Sequence, residues 1–266
     1  MRQALWAGIV AAVMLAGAVA RAEVLCTLVT DVATGAVLHA EGACDARVTP
    51  ASTFKIALAV MGYEAGVLRD AGAPVLTWRA GEPDWGGAAW TGAVDPEAWM
   101  RESVLWYSQR LAREMGAATL TGFARQFGYG NADFSGDPGF DNGLERAWIA
   151  SSLQVSPREQ AAFLRALVQD QLPVRAQAMA QARGLLERHV VGAWVIRGKT
   201  GTAYPRRADR SFDNARGWGW YVGWAERGDR RLVFVRLTQA QARSEVSPGI
   251  ATRDTVLRDW ADLAGR

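Results

Sequence analysis

The chain of 266 residues is 50% hydrophobic and 21% charged, enough apolar material for a packed core and too much for a disordered chain. Its 28 glycines and 9 prolines are scattered without a period, which excludes collagen-like and low-complexity architectures. A net charge of +3 gives no reason to expect a nucleic-acid surface.

Residues 1–22 differ in kind from the rest. Arg2 makes a short positive start, an apolar run follows, and Ala20-Arg21-Ala22 offers the small residues that a signal peptidase needs. The run falls short of the roughly 20 residues of a spanning helix. The expectation is a secretory signal peptide cleaved after Ala22, leaving residues 23–266 as a single periplasmic or secreted domain with no membrane attachment. Losing Arg2 and Arg21, and no acid, lowers the net charge from +3 to +1.

Residues 25–30 and 36–39 read as strands of a hairpin around Ala33-Thr34-Gly35. Cys26 and Cys44 are the only cysteines. In an exported chain the pair suggests a disulfide, with two buried free thiols as the alternative. With only His39 and His189 beside them, soft ligands are too few for a zinc or iron–sulfur site, and no metal is expected. Pro50 precedes a largely apolar helix over 52–65 that ends near Gly66. Residues 70–98 read as loops with short elements. Helices are predicted over 97–115 and 119–127, stopped by Gly116 and Gly128, and a loop over 131–142. Ser156-Pro157-Arg158-Glu159 is a capping box with proline at the first helical position. Residues 174–186 continue helical. The last third turns to strands at 193–196, 217–225 and 232–238, with Arg227-Gly228-Asp229 as a turn, before a helix at 250–263. Strands at both ends and helices between them predict an α/β fold: an antiparallel sheet flanked by helices, with an inserted, mostly helical region.

Lysine is the informative residue type. Of 30 basic residues, only Lys55 and Lys199 are lysine. Arginine stays charged everywhere, whereas a desolvated lysine can lose its proton and act as a base. Both survivors sit in motifs. Ser52-Thr53-Phe54-Lys55 places a hydroxyl and an amine one helical turn apart, at a helix N-terminus that favours a developing oxyanion. That is an activated nucleophile without histidine. Lys199-Thr200-Gly201 follows an apolar strand, with a cation and a hydroxyl available to a carboxylate and a glycine that leaves room for a ligand amide. A P-loop fails on spacing, since Ala193 stands where glycine is required. Twelve tryptophans invite a carbohydrate or membrane surface, but most fall in segments expected to be core or cleft wall.

Between the two lysine motifs lie Ser103-Val104-Leu105, read as helical, and Tyr129-Gly130-Asn131 at a helix end. In this order and at these spacings, the four motifs resemble those of the class D serine β-lactamases, the oxacillinases: S-x-x-K, S-x-V, Y-G-N and K-T-G. The resemblance covers essentially all of 23–266 and implies a serine β-lactamase or penicillin-binding transpeptidase-like fold. It implies that Ser52 attacks the β-lactam carbonyl, and that Lys55, carboxylated by CO2, is the base for acylation and deacylation. No other cofactor is implied. Trp148 would hold the carbamate, Ser103 would relay a proton to the lactam nitrogen, and Lys199 and Thr200 would bind the substrate carboxylate. Backbone N–H groups of Ser52 and Thr202 would form the oxyanion hole. Tyr129 and Gly201 belong to the implied substrate-binding set. Leu105 departs from the family valine and is longer. Arg243 and Arg253 are both candidates for a carboxylate-binding arginine. The expected partner is a small β-lactam, particularly a penicillin of oxacillin type, and the protein a monomer or homodimer. A β-lactam sensor domain and a D,D-peptidase use the same serine–lysine pair and are the alternatives.

Overall fold

The computed structural model describes residues 22–265; the expected signal peptide lies, but for Ala22, outside the described residues. The N-terminal strands β1 (Glu23–Asp31) and β2 (Val37–Gly42) form the expected hairpin, and Cys26 and Cys44 are disulfide-bonded. Helix α1 (Phe54–Glu64) follows a 3-10 turn, Ala51–Thr53. All of Phe54–Tyr63 is buried, as a helix apolar all round must be.

Residues 70–98 include a two-stranded pair, β3 (Leu76–Thr77) and β4 (Ala93–Val94). The helix predicted over 97–115 is two helices: α2 (Pro96–Arg101) and α3 (Leu105–Met115). Asp95 caps α2 through Ala98 N–H at 2.7 Å. The break falls at Glu102-Ser103-Val104, where the Trp90 indole N–H takes the Glu102 carbonyl at 2.9 Å and Ser103 has φ +59°. A tertiary donor thus occupies a carbonyl on which the helix ladder would have continued.

Helices α4 (Ala117–Gln126), α5 (Gly143–Arg146), α6 (Pro157–Val168) and α7 (Ala176–Gly184) complete the inserted region. The capping box at Ser156 forms as expected, with Glu159 reciprocating. Strand β5 (Glu187–Val191), polar and short, carries little sequence signal. Strand β6 (Trp194–Ala203) is longer than the expected 193–196 and contains Lys199-Thr200-Gly201 rather than preceding it. β7 (Trp218–Arg227), β8 (Arg230–Gln239) and α8 (Pro248–Leu263) close the chain.

The six strands of the main sheet are antiparallel in the order β2-β1-β8-β7-β6-β5, so strands from both ends of the chain form one sheet. Strands β7 and β8 are covered on both faces and read as nearly continuous apolar runs. Alternation divides them. Trp220, Val222 and Trp224 join the main core with α1, whereas Tyr221 and Ala225 join Trp260 of α8 on the other face. Trp99, Trp106, Trp148, Trp220, Trp224 and Trp260 are all fully buried, which accounts for much of the tryptophan content.

Candidate active site

The site forms where the start of α1 meets the face of β6. Ala51, a non-glycine residue, has φ +51°. This left-handed step opens the 3-10 turn and lifts Ser52 out of the regular helix that the sequence predicts from residue 52. Lys55 then lies one turn along, its Nζ donating to Ser52 Oγ at 3.3 Å. Lys55 is 1% exposed. Among the described residues neither it nor Lys199 forms an ion pair. Burial, and then the Lys199 cation, hold the Lys55 amine well below the usual lysine range. Burial also brings Lys199 down to about 8, with Glu187 opposing the shift and Arg253 adding to it.

Lys199 and Gly201 lie two apart on β6 and share a face. A Cβ on Gly201 would stand 3.0 Å from the Pro50 carbonyl oxygen and 3.2 Å from Thr53 N. The strand therefore presses on the turn that carries Ser52. This revises the expectation for Gly201: the room that glycine leaves on this face is taken by the chain's own Ala51–Thr53 turn, which carries Ser52. Across β7, the Trp220 indole N–H donates to Thr49 O at 2.9 Å and secures the same segment.

Thr200 and Thr202 point to the opposite face. Thr200 is paired with Tyr221, which packs towards α8, and the Thr202 hydroxyl accepts Gly249 N–H of α8 at 2.9 Å. The last pairing of β5 with β6 is Glu187 with Gly198, so β5 leaves the outer edge of β6 open from Lys199 onward. At that open edge groups from both faces can reach one ligand. Arg253 of α8 lies on this side, held by Glu187 at 3.3 Å and Asp254 at 3.0 Å, while Arg243 lies in the exposed stretch 241–246. Of the two arginines, Arg253 is the one close enough to bear on Lys199.

Ser103 sits in the break between α2 and α3, not on a helix as expected, and its hydroxyl bonds to no described residue. Leu105 opens α3 and is buried. Trp148 is 1% exposed, packs on Phe54 at 5.3 Å between ring centroids, and its carbonyl accepts the Thr49 hydroxyl. Tyr129, expected among the substrate-binding residues, is instead wholly buried behind Phe54 and edge-on to Phe163, with its hydroxyl on Gln160. An aromatic ring with a hydrogen-bonded hydroxyl and no exposed surface supports the site from behind. His39 and His189 lie beside Glu41 and Glu187, at 3.8 and 3.1 Å, and neither bonds Ser52. Glu187 and Gln160 carry no motif, so the sequence offered no sign that they adjoin the site.

This arrangement sets a hydroxyl against an amine biased towards its neutral form, with a second, partly protonated lysine at an open strand edge. It suits attack on a carbonyl whose neighbouring group is anionic.

The penicillin binding protein transpeptidase domain matches residues 25–259. Beta-lactamase OXA-9 of Klebsiella pneumoniae is 36% identical over 244 residues, 90% of this chain and 88% of that protein. Beta-lactamase OXA-1 of Escherichia coli is 30% identical over 236 residues, 87% of this chain and 82% of that protein. The crystal structure of OXA-427 class D β-lactamase matches at a TM-score of 0.83 and 42% identity, over 90% of this chain and 98% of that one.

Proposed function

This chain belongs to the class D β-lactamases, hydrolases of the β-lactam ring, and on that premise we propose that it works through an acyl ester on Ser52 with a carboxylated Lys55 as base. The observation that carries the reading is the pair itself: Ser52 Oγ and Lys55 Nζ are 3.3 Å apart, Lys55 is buried, and among the described residues neither has a carboxylate partner.

A buried amine biased to its neutral form is the species that combines with CO2. The N–C bond forms and one amine proton leaves to solvent. Two features of the site fit that group: the desolvated amine, and the buried Trp148, packed on Phe54 next in sequence to Lys55, whose indole N–H would hold the carbamate. When present, the carbamate supplies an anionic oxygen base within reach of the Ser52 hydroxyl. Ser52 Oγ bonds to the lactam carbonyl carbon as its proton departs. The developing oxyanion is met by the N–H groups of Ser52 and Thr202. The C–N bond of the ring breaks, and Ser103, in its helix break, passes a proton to the leaving nitrogen. Water then cleaves the ester and restores the Ser52 hydroxyl. Lys199 and Thr200 hold the substrate carboxylate at the open edge of β6, and Arg253 lends positive potential from α8. The substrates are penicillins, including those of oxacillin type, and their hydrolysis confers resistance in the periplasm or outside the cell after removal of residues 1–22.

A chromogenic cephalosporin tests this. Steady turnover that rises with added bicarbonate is expected. Lys55→Ala should accumulate an acyl adduct on Ser52, visible by intact mass. A single burst without turnover in the parent, or undiminished turnover in Lys55→Ala, would overturn the reading.

A further inference from the structure

The turn that presents Ser52 adopts a conformation that its own residues disfavour. Ala51 stands at φ +51°, where a side chain strains the backbone, and no side chain caps the turn. Such a conformation persists only where surrounding contacts impose it.

Those contacts form a single directed chain. The Thr53 hydroxyl donates to the Pro50 carbonyl at 2.7 Å, and Thr53 N–H reaches the same oxygen at 3.2 Å. The Thr53 hydroxyl oxygen accepts Gln160 Nε2 at 2.9 Å. Gln160 Oε1 accepts the Tyr129 hydroxyl at 3.3 Å. Thr53, Gln160 and Tyr129 are 1%, 1% and 0% exposed, so water does not substitute for any link. Burial pushes the Tyr129 phenol far above its usual range, which keeps it a donor throughout the working pH range. Gln160 itself is anchored, four residues into the capped segment of α6. The Gln160 amide and the Thr53 hydroxyl each give one bond and take one, and the amide, whose donor and acceptor are different atoms, sets the direction: Tyr129 to Gln160 to Thr53 to Pro50.

We infer that Gln160 and Thr53 are positioning residues for acylation: their hydrogen-bond chain imposes the Ala51–Thr53 turn and so aims Ser52 Oγ at Lys55 and at the substrate carbonyl. Neither side chain touches the reacting atoms. The inference rests on Ser52 being the nucleophile. A turn released by a fraction of an ångström leaves the binding edge of β6 intact, because Lys199 and Thr200 belong to the sheet. The defect therefore appears in the acylation step and not in substrate binding, a split that general loss of packing would not produce. Misplacement of an aligned group by about 1 Å lowers rates on the order of a hundred-fold, so a smaller displacement should read as about ten-fold.

The test measures the acylation rate constant and the dissociation constant of the non-covalent complex separately, by stopped flow with a penicillin. Rates refer to the enzyme fraction acylated at completion. First, peptide mapping of the acylated parent must place the adduct on Ser52; an adduct elsewhere overturns the proposed function and leaves the hydrogen-bond chain unassigned to it. With the adduct on Ser52, Thr53→Val and Gln160→Leu should each slow acylation about ten-fold with the dissociation constant within about two-fold. Thr53→Ser should recover the parent rate, and the double variant should be no slower than the slower single one. Parent-like acylation in Thr53→Val and Gln160→Leu, multiplied effects in the double variant, or failure of Thr53→Ser to recover would each overturn the inference. If those variants do not fold, Gln160→Met decides. It keeps nearly the volume but has no N–H or O–H to donate to Thr53, so it should acylate slowly with unchanged binding, and a parent rate would refute the role.

Discussion

Replacing Gly201 with alanine should disturb an enzyme that has not yet met substrate. The added methyl carbon would lie 3.0 Å from both Pro50 O and Thr53 Cγ2 and 3.2 Å from Thr53 N, closer than the 3.4 Å at which ordinary contact begins. Something must yield by a few tenths of an ångström. The Pro50 carbonyl cannot yield freely, since it is bound from Thr53 at 2.7 Å, and Thr53 is bound in turn by Gln160. On the other side β6 is paired with β7 from Val195 to Ala203. Overpacking of this kind costs about 1–3 kcal/mol. We expect urea unfolding of Gly201→Ala to show a loss of about 1–2 kcal/mol at unchanged slope. Turnover of a chromogenic cephalosporin should fall in kcat/KM by about ten-fold, which corresponds to about 1.4 kcal/mol of barrier. The stability measurement contains no substrate, so it isolates the clash with the turn from any effect on ligand binding. A variant with the parent's unfolding midpoint and the parent's kcat/KM would show that strand and turn have room to spare, and the argument from close approach would fail.

The profile of kcat/KM against pH should fall on its alkaline side as Lys199 loses its proton at about 8; Lys199→Met should remove that limb, and its persistence would assign it to another group. Both lysines have folded pKa values below those of the unfolded chain, which therefore binds more protons between the two values. The penalty is fully present at low pH, so this contribution makes stability climb as pH rises from about 8 towards the ordinary lysine value of 10.5, and urea midpoints that fail to rise more in the parent than in Lys199→Met over that span would contradict the burial argument. The Cys26–Cys44 bond closes a loop with a sequence separation of 18 and pins β1 to the segment after β2. Chain entropy assigns such a loop about 3 kcal/mol. Reductant, or the Cys26→Ser/Cys44→Ser double variant, should lower the melting temperature with little change in kcat, and equal melting with and without reductant would count against the bond.

The local chemistry of the sequence decided a good deal of this protein. A serine and a lysine three residues apart share one face of any helical turn, whatever surrounds them. The capping box at Ser156, the hairpin near Cys26 and the turn at Arg227-Gly228-Asp229 are likewise settled by residues a few positions apart. The scarcity of lysine singled out, before any fold was known, the two that the fold buries close enough for one charge to bear on the other. Other features depend on partners remote in the chain, and only the folded molecule supplies them. Ser103 leaves its helix because Trp90 takes a carbonyl, Gly201 is small because Pro50 and Thr53 press against it, and Tyr129 turns inward to Gln160. The low affinity of Lys55 for its proton belongs to the same group. Nothing in the stretch Phe54–Glu64 dictates it; it follows from removing an amine from water and placing a second cation nearby, which the sheet and α1 accomplish together.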